Sequence, residues 1–195
     1  MRSILNDAKR KFFVTAAALL LAASLAWGST AEGRSRLTVG AGLFRATSAS
    51  YRSLYGGASF MPEIRLGRRL GRNLLVWGGC AWNSDDGVMP EVSEPASIRH
   101  TSLSMGAGYS RRLAGRLRWR AEAGLALLTF REEALGAVVK GRGLGWRLGS
   151  GVDYLAWDRV FLFLDAAFTR ANDDAETGRV LLGGLHLSGG LGFAL

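Results

Sequence analysis

Apolar and polar residues alternate one by one along most of this chain, and the charges gather on a single side of each alternating segment. In the clearest stretch Leu117, Trp119, Ala121, Ala123, Leu125 and Leu127 oppose Arg116, Arg118, Arg120, Glu122 and Gly124. A period of two is that of a β-strand, whose successive side chains point to opposite faces. One face of these strands is hydrocarbon and the other carries arginine and carboxylate. Charge facing lipid would cost several kcal/mol, about 2–4 at the bilayer midplane for arginine, so in a membrane the charged face must line an interior.

The same pattern recurs from end to end. Leu37, Val39, Ala41 and Leu43 oppose Thr38, Gly40 and Gly42; Phe60, Pro62, Ile64 and Leu66 oppose Ser59, Met61, Glu63 and Arg65. Pro62 costs its strand one ladder hydrogen bond. Residues 74–83 are apolar on both faces, which leaves their register open. Thr101, Leu103, Met105, Ala107 and Tyr109 then oppose Ser102, Ser104, Gly106 and Gly108, and Leu144, Trp146, Leu148, Val152 and Tyr154 oppose Gly145, Arg147, Gly149, Gly151 and Asp153. Val160, Leu162, Leu164, Ala166 and Phe168 alternate with Phe161, Phe163, Asp165 and Ala167. The last segment runs to the end, with Leu181, Leu185, Leu187, Leu191, Phe193 and Leu195 opposite Leu182, Gly184, His186, Ser188, Gly190 and Gly192.

The connections sort into two alternating sets. Links at 67–73, 111–115 and 156–159 are short; those at 45–56, 84–99, 131–143 and 170–179 are longer. Two chain ends and three short turns on one side, with four long links on the other, predict an all-β, antiparallel, up-and-down transmembrane β-barrel of about eight strands. Aromatic residues agree with two membrane interfaces: Tyr109, Trp119, Tyr154, Trp157 and Phe193 fall near the short-turn ends, Trp82 and Trp146 near the long-link ends.

The first residues read as a secretory signal. Arg2, Lys9, Arg10 and Lys11 precede an apolar stretch at 12–27 and a small-residue exit at Ser29-Thr30-Ala31. The expected division is a signal peptide at 1–31 and a barrel domain at 32–195, with cleavage after Ala31. The 195-residue chain carries a net charge of +9, which falls to +6 without that segment. Beyond residue 31 no apolar run is long enough to span a bilayer as a helix. Cys80 is the one cysteine, cannot form an internal bridge, and reads as a small apolar strand residue.

The signal, the alternating segments and the closing Leu187-Ser188-Gly189-Gly190-Leu191-Gly192-Phe193-Ala194-Leu195 resemble the small outer-membrane β-barrel superfamily. That resemblance covers almost all of 32–195. It implies a Gram-negative outer-membrane location, contact with outer-membrane lipids and lipopolysaccharide, and insertion by the barrel-assembly machinery through the last strand. Its members usually end on an aromatic residue; here the terminal residue is Leu195 and the nearest aromatic is Phe193. No single activity follows from the resemblance.

The leading reading is a structural or surface-interaction protein whose long loops face outside. A barrel of about eight strands has an interior that side chains largely fill. Glu63, Arg65, Arg118, Arg120, Glu122, Arg147, Asp153, Asp165 and His186 supply both signs for such a plug and are expected to pair; a narrow, porin-like solute path is the alternative. His186-Leu187-Ser188 resembles the His-x-Ser element of outer-membrane lipid A deacylases, in which the histidine is the base and the serine the nucleophile. Only those two residues match. His100 reads as a polar strand end rather than a metal ligand. The pairs Asp85-Asp86, Glu132-Glu133 and Asp173-Asp174 read chiefly as loop-solvating charges that are also able to share divalent cations with lipid headgroups.

Arg68, Arg69, Arg72, Arg111 and Arg112 are spread over short turns without interleaved aromatics, which disfavours nucleic acid and suits anionic periplasmic components or headgroups. A soluble lipocalin-like barrel alternates too, but would turn hydrocarbon inward and charge outward. No nucleotide-binding loop, paired-cysteine cluster or Gly-x-Ser-x-Gly elbow is present. No catalytic, cofactor or metal residue is assigned, and no loop ligand.

Overall fold

The computed structural model describes residues 35–89, 92–173 and 180–195. The expected signal segment at 1–31 and residues 174–179 of the last long link lie outside the described residues. Among the described residues, eight strands follow in order: β1 (Ser35–Ala46), β2 (Ser59–Leu70), β3 (Leu74–Met89), β4 (Glu94–Ala114), β5 (Leu117–Ala134), β6 (Ala137–Leu155), β7 (Val160–Asp173) and β8 (Val180–Ala194). A helix, α1 (Ala49–Tyr55), lies between β1 and β2. Each strand pairs antiparallel with its sequence neighbours, and β1 closes on β8 from Arg36 opposite Ala194 to Ala46 opposite Gly184. The ring therefore has no free edge, which satisfies the backbone of every wall internally.

The alternation sorts as the charge argument requires. Leu43, Met105, Leu125, Leu144 and Leu164 stand exposed on the outside, whereas Glu63, Arg65, Arg120, Glu122, Arg147, Asp153 and Asp165 are buried inside. Hydrocarbon outside and charge inside is the arrangement of a barrel solvated by lipid, the reverse of a lipocalin. No helix of the described residues is long and apolar enough to cross a membrane.

The open register at 74–83 resolves with Leu75, Trp77, Ala81 and Asn83 inward. Leu74 and Cys80, on the alternate positions, stand on the outer face. The three short links are tight connections between β2 and β3, β4 and β5, and β6 and β7.

The long links differ from expectation. Residues 84–99 and 131–143 are mostly strand: the β3–β4 ladder continues to Met89 opposite Glu94, and the β5–β6 ladder to Ala134 opposite Ala137. Their polarity suggested loops because strands beyond the lipid need no apolar outer face. β5 and β6 have 18 and 19 residues. A tilted strand needs about 9–11 to cross a bilayer, so these project well past it. The β5–β6 hairpin turns on Leu135 and Gly136 alone, at φ 51° and 70°. Positive φ at both central residues gives a turn whose twist matches that of the flanking strands.

Candidate functional site

Short side chains and glycines on the inner faces leave room for long charged ones to meet at the centre of the bore. Arg65 on β2 donates to Glu63 at 3.0 Å, to Glu122 on β5 at 3.0 Å and to Asp165 on β7. Arg120 on β5 is 2% exposed and donates to Asp153 at 3.0 Å, Asp165 at 2.5 Å and Glu122. Arg36 on β1 forks onto Asp153 at 2.9 and 3.3 Å. Arg147 lies 3.7 Å from Glu63 and over the Trp77 ring at 5.9 Å. Four guanidiniums thus face four carboxylates, and the layer is electrically balanced. Buried charges persist only when paired and hydrogen-bonded in this way.

Wall glycines make that space. A Cβ on Gly151 would fall 1.7 Å from Asp165 Oδ1, and one on Gly192 would fall 2.1 Å from the Phe161 ring. A side chain at either position would displace the plug.

Above the charged layer the bore turns apolar and is then covered. Phe44, Ala46, Met61 and Ala81 form one buried cluster; Tyr55, Ala96, Ile98 and Phe130 form another. Helix α1 rests on both through Tyr51. Its N-cap Ser48 accepts from the Tyr51 amide at 3.3 Å, and Arg52 donates back to Ala46 and Thr47 carbonyls at 2.8 and 2.7 Å. The Tyr51 hydroxyl donates to Asp85 at 2.6 Å, and the same carboxylate accepts from Ser59 at 2.5 Å and Asn83 at 2.9 Å. Tyr55 donates to Glu132. Asp85 and Glu132, expected chiefly to solvate loops, instead fasten a lid across the long-hairpin mouth.

His100 is likewise no polar strand end. Because β4 starts at Glu94, it sits inside the bore, buried and stacked on Phe44 at 5.5 Å.

His186 and Ser188 are also buried in the bore. The Ser188 hydroxyl donates to Glu63 at 2.6 Å, while His186 Nε2 lies 3.3 Å from the Met61 carbonyl and Nδ1 makes no hydrogen bond. A nucleophile activated by a neighbouring base needs a hydrogen bond between them. The serine is turned to the carboxylate instead.

The profile described as outer membrane protein beta-barrel domain matches residues 13–186. The chain belongs to that family. No curated protein sequence matches it. Outer-membrane β-barrel structures similar to this family member include Neisserial surface protein A, at 16% identity and a TM-score of 0.67, covering 83% of this chain and 97% of that one. OprG of Pseudomonas aeruginosa is similar at 12% identity and a TM-score of 0.59, covering 84% and 96%. Ail of Yersinia pestis, solved with the heparin analogue sucrose octasulfate, is similar at 15% and 0.54, covering 83% and 99%. These likenesses establish the fold, and with the family they place this barrel in the outer membrane.

Of the bore residues expected from the outer-membrane barrel pattern, all but Arg118 and His186 enter the ion-pair network described above. Sequence reasoning missed Arg36, Tyr51 and Tyr55. Arg36 carried a usable signal, since it continues the inward set of Thr38 and Gly40 by one step. The two tyrosines carried none, because their partners lie 34 and 77 positions away.

Proposed function

We propose that this outer-membrane protein is a non-conducting barrel that displays the β3–β4 and β5–β6 hairpins outside the cell as an interaction surface. The observation that carries the reading is the double closure of the bore, by a balanced ion-pair layer and by α1 above it. An eight-stranded barrel leaves little lumen even before such filling. What remains to act with is the projecting β-structure, whose Val88, Leu135, Val138 and Val139 are about half exposed. Exposed apolar side chains grouped beyond the lipid suit protein or lipid contact. Two of the similar barrels are by name a surface protein and an attachment protein.

Export through a signal at 1–31 and insertion by the barrel-assembly machinery through β8 complete the reading. Leu191, Phe193 and Leu195 stand exposed on one face of that strand's end, as lipid-facing residues should. The outer belt then contacts membrane lipid and lipopolysaccharide.

The test is made on cells expressing an epitope inserted between Leu135 and Gly136. Antibody labelling of intact cells, together with loss of adhesion to a serum-protein-coated surface when residues 131–141 are replaced by a two-residue turn, is the expected result. Labelling only after permeabilisation would reverse the barrel, and unchanged adhesion would remove the hairpin from the interaction.

A further inference from the structure

The charge balance of the bore fails at its short-turn mouth. A cavity of about 150 Å³ opens there, lined by Arg36, Arg69, Arg112, Arg116 and Arg118. Two carboxylates, Asp153 and Asp158, share the lining. Asp153 is already divided between Arg36 and the deeper Arg120. Arg116 donates to the Ala156 carbonyl at 3.4 Å, a contact that orients its head without cancelling its charge. Leaving aside Arg69, whose guanidinium is already engaged, four cations meet two anions around this cavity among the described residues, in contrast with four against four deeper in the bore.

We propose that this mouth binds a compact phosphate-bearing polyanion. Guanidinium groups converging from β1, β4 and β5 offer planar, forked donors that match phosphate oxygens in pairs. The low-dielectric wall of the barrel focuses the positive field into the cavity and strengthens each contact. A diphosphate group fits the excess of charge; a neutral solute would leave it uncompensated. The phosphate belongs to a soluble periplasmic anion or to a lipid headgroup reaching over the rim.

The test uses the full-length barrel in neutral detergent, titrated with inorganic pyrophosphate by calorimetry. Saturable one-site binding that weakens with added salt is expected. R112Q and R118Q should each weaken it by about tenfold, the worth of one lost charge-assisted hydrogen bond. R131Q, at the opposite mouth, should leave it unchanged, and heat-modifiable gel mobility checks that every variant is closed. Absence of saturable heat, equal affinity in R112Q and R118Q, or an equal loss in R131Q would overturn the site. Short-chain phosphatidic acid as competitor separates the sources: displacement of pyrophosphate assigns the pocket to headgroup phosphate, and failure to displace assigns it to soluble anions.

Discussion

Arg65 and Glu122 sit on β2 and β5, strands that share no ladder, yet the guanidinium donates to the carboxylate at 3.0 Å across the bore. The same arginine holds Glu63 and Asp165, so three walls meet on one side chain. Arg65→Ala leaves three buried carboxylates short of a cation. The expected loss is about 3–5 kcal/mol, the usual cost of stripping one partner from a buried pair. Urea unfolding in lipid vesicles measures it, and a loss under about 1 kcal/mol would mean that water replaces the arginine.

The filled bore predicts no resolved single-channel current in a planar bilayer. R65A combined with R120A removes two of the four central guanidiniums and leaves the carboxylates. Cation-selective currents are expected from that variant, because an acidic constriction favours cations. Anion selectivity would mean that other residues govern the path.

Helix α1 is held by phenol–carboxylate bonds, and trypsin cleavage after Arg52 reports its release. D85N and E132Q should each speed that cut several-fold, by the loss of about 1–2 kcal/mol of local stability per charge-assisted bond. Cleavage at the wild-type rate in both would leave the apolar packing of Tyr51 and Tyr55 as the whole attachment.

The same lid is sensitive to alkali. Burial first, and then Asp85, push the Tyr51 phenol above its ordinary value; burial and Glu132 do the same for Tyr55. A phenol whose folded pKa is raised contributes stability that is fully present below its unfolded pKa of about 10 and fades as pH rises beyond it. Protection of the α1 amides, the intrinsic base-catalysed exchange rate relative to the observed one, should therefore be constant from neutrality to about pH 10 and fall above it.

Gly106 and Gly124 face each other across the β4–β5 ladder. A Cβ on Gly124 would stand 2.2 Å from the Met105 carbonyl oxygen, which is backbone and has nowhere to go. Gly124→Val should prevent closure, seen as loss of heat-modifiable mobility, whereas Gly136→Asn at the hairpin tip should fold, since asparagine tolerates its positive φ.

The walls of this barrel were legible because lipid imposes a strict rule on one face. Leu117 to Leu127 could sit only outside and Arg118 to Glu122 only inside, and the turns at 111–115 and 156–159 followed. The rule lapses where the strands leave the membrane. Asp85, Asp86, Glu132 and Glu133 look like loop residues, yet all four lie in ladders. The outer face there is not selected by lipid, so no hydrocarbon period marks it. The bore was half legible: alternation placed its residues inside, but which arginine meets which carboxylate depends on strand stagger, and Arg36 to Asp153 spans 117 positions. The lid was not legible at all, since a seven-residue helix with partners on distant hairpins has no local signature.

The balance of four guanidiniums and four carboxylates exists only in the finished ring. Arg36 waits for Asp153, Arg65 for Asp165 and Glu63 for Ser188, over separations of 117, 100 and 125 positions. A sheet that stops before β7 carries an electrolyte with its counter-ions missing, exposed along an open seam. Partial barrels are thus penalised twice, by unpaired edges and by uncompensated charge, and insertion becomes an all-or-none event whose last step neutralises the interior.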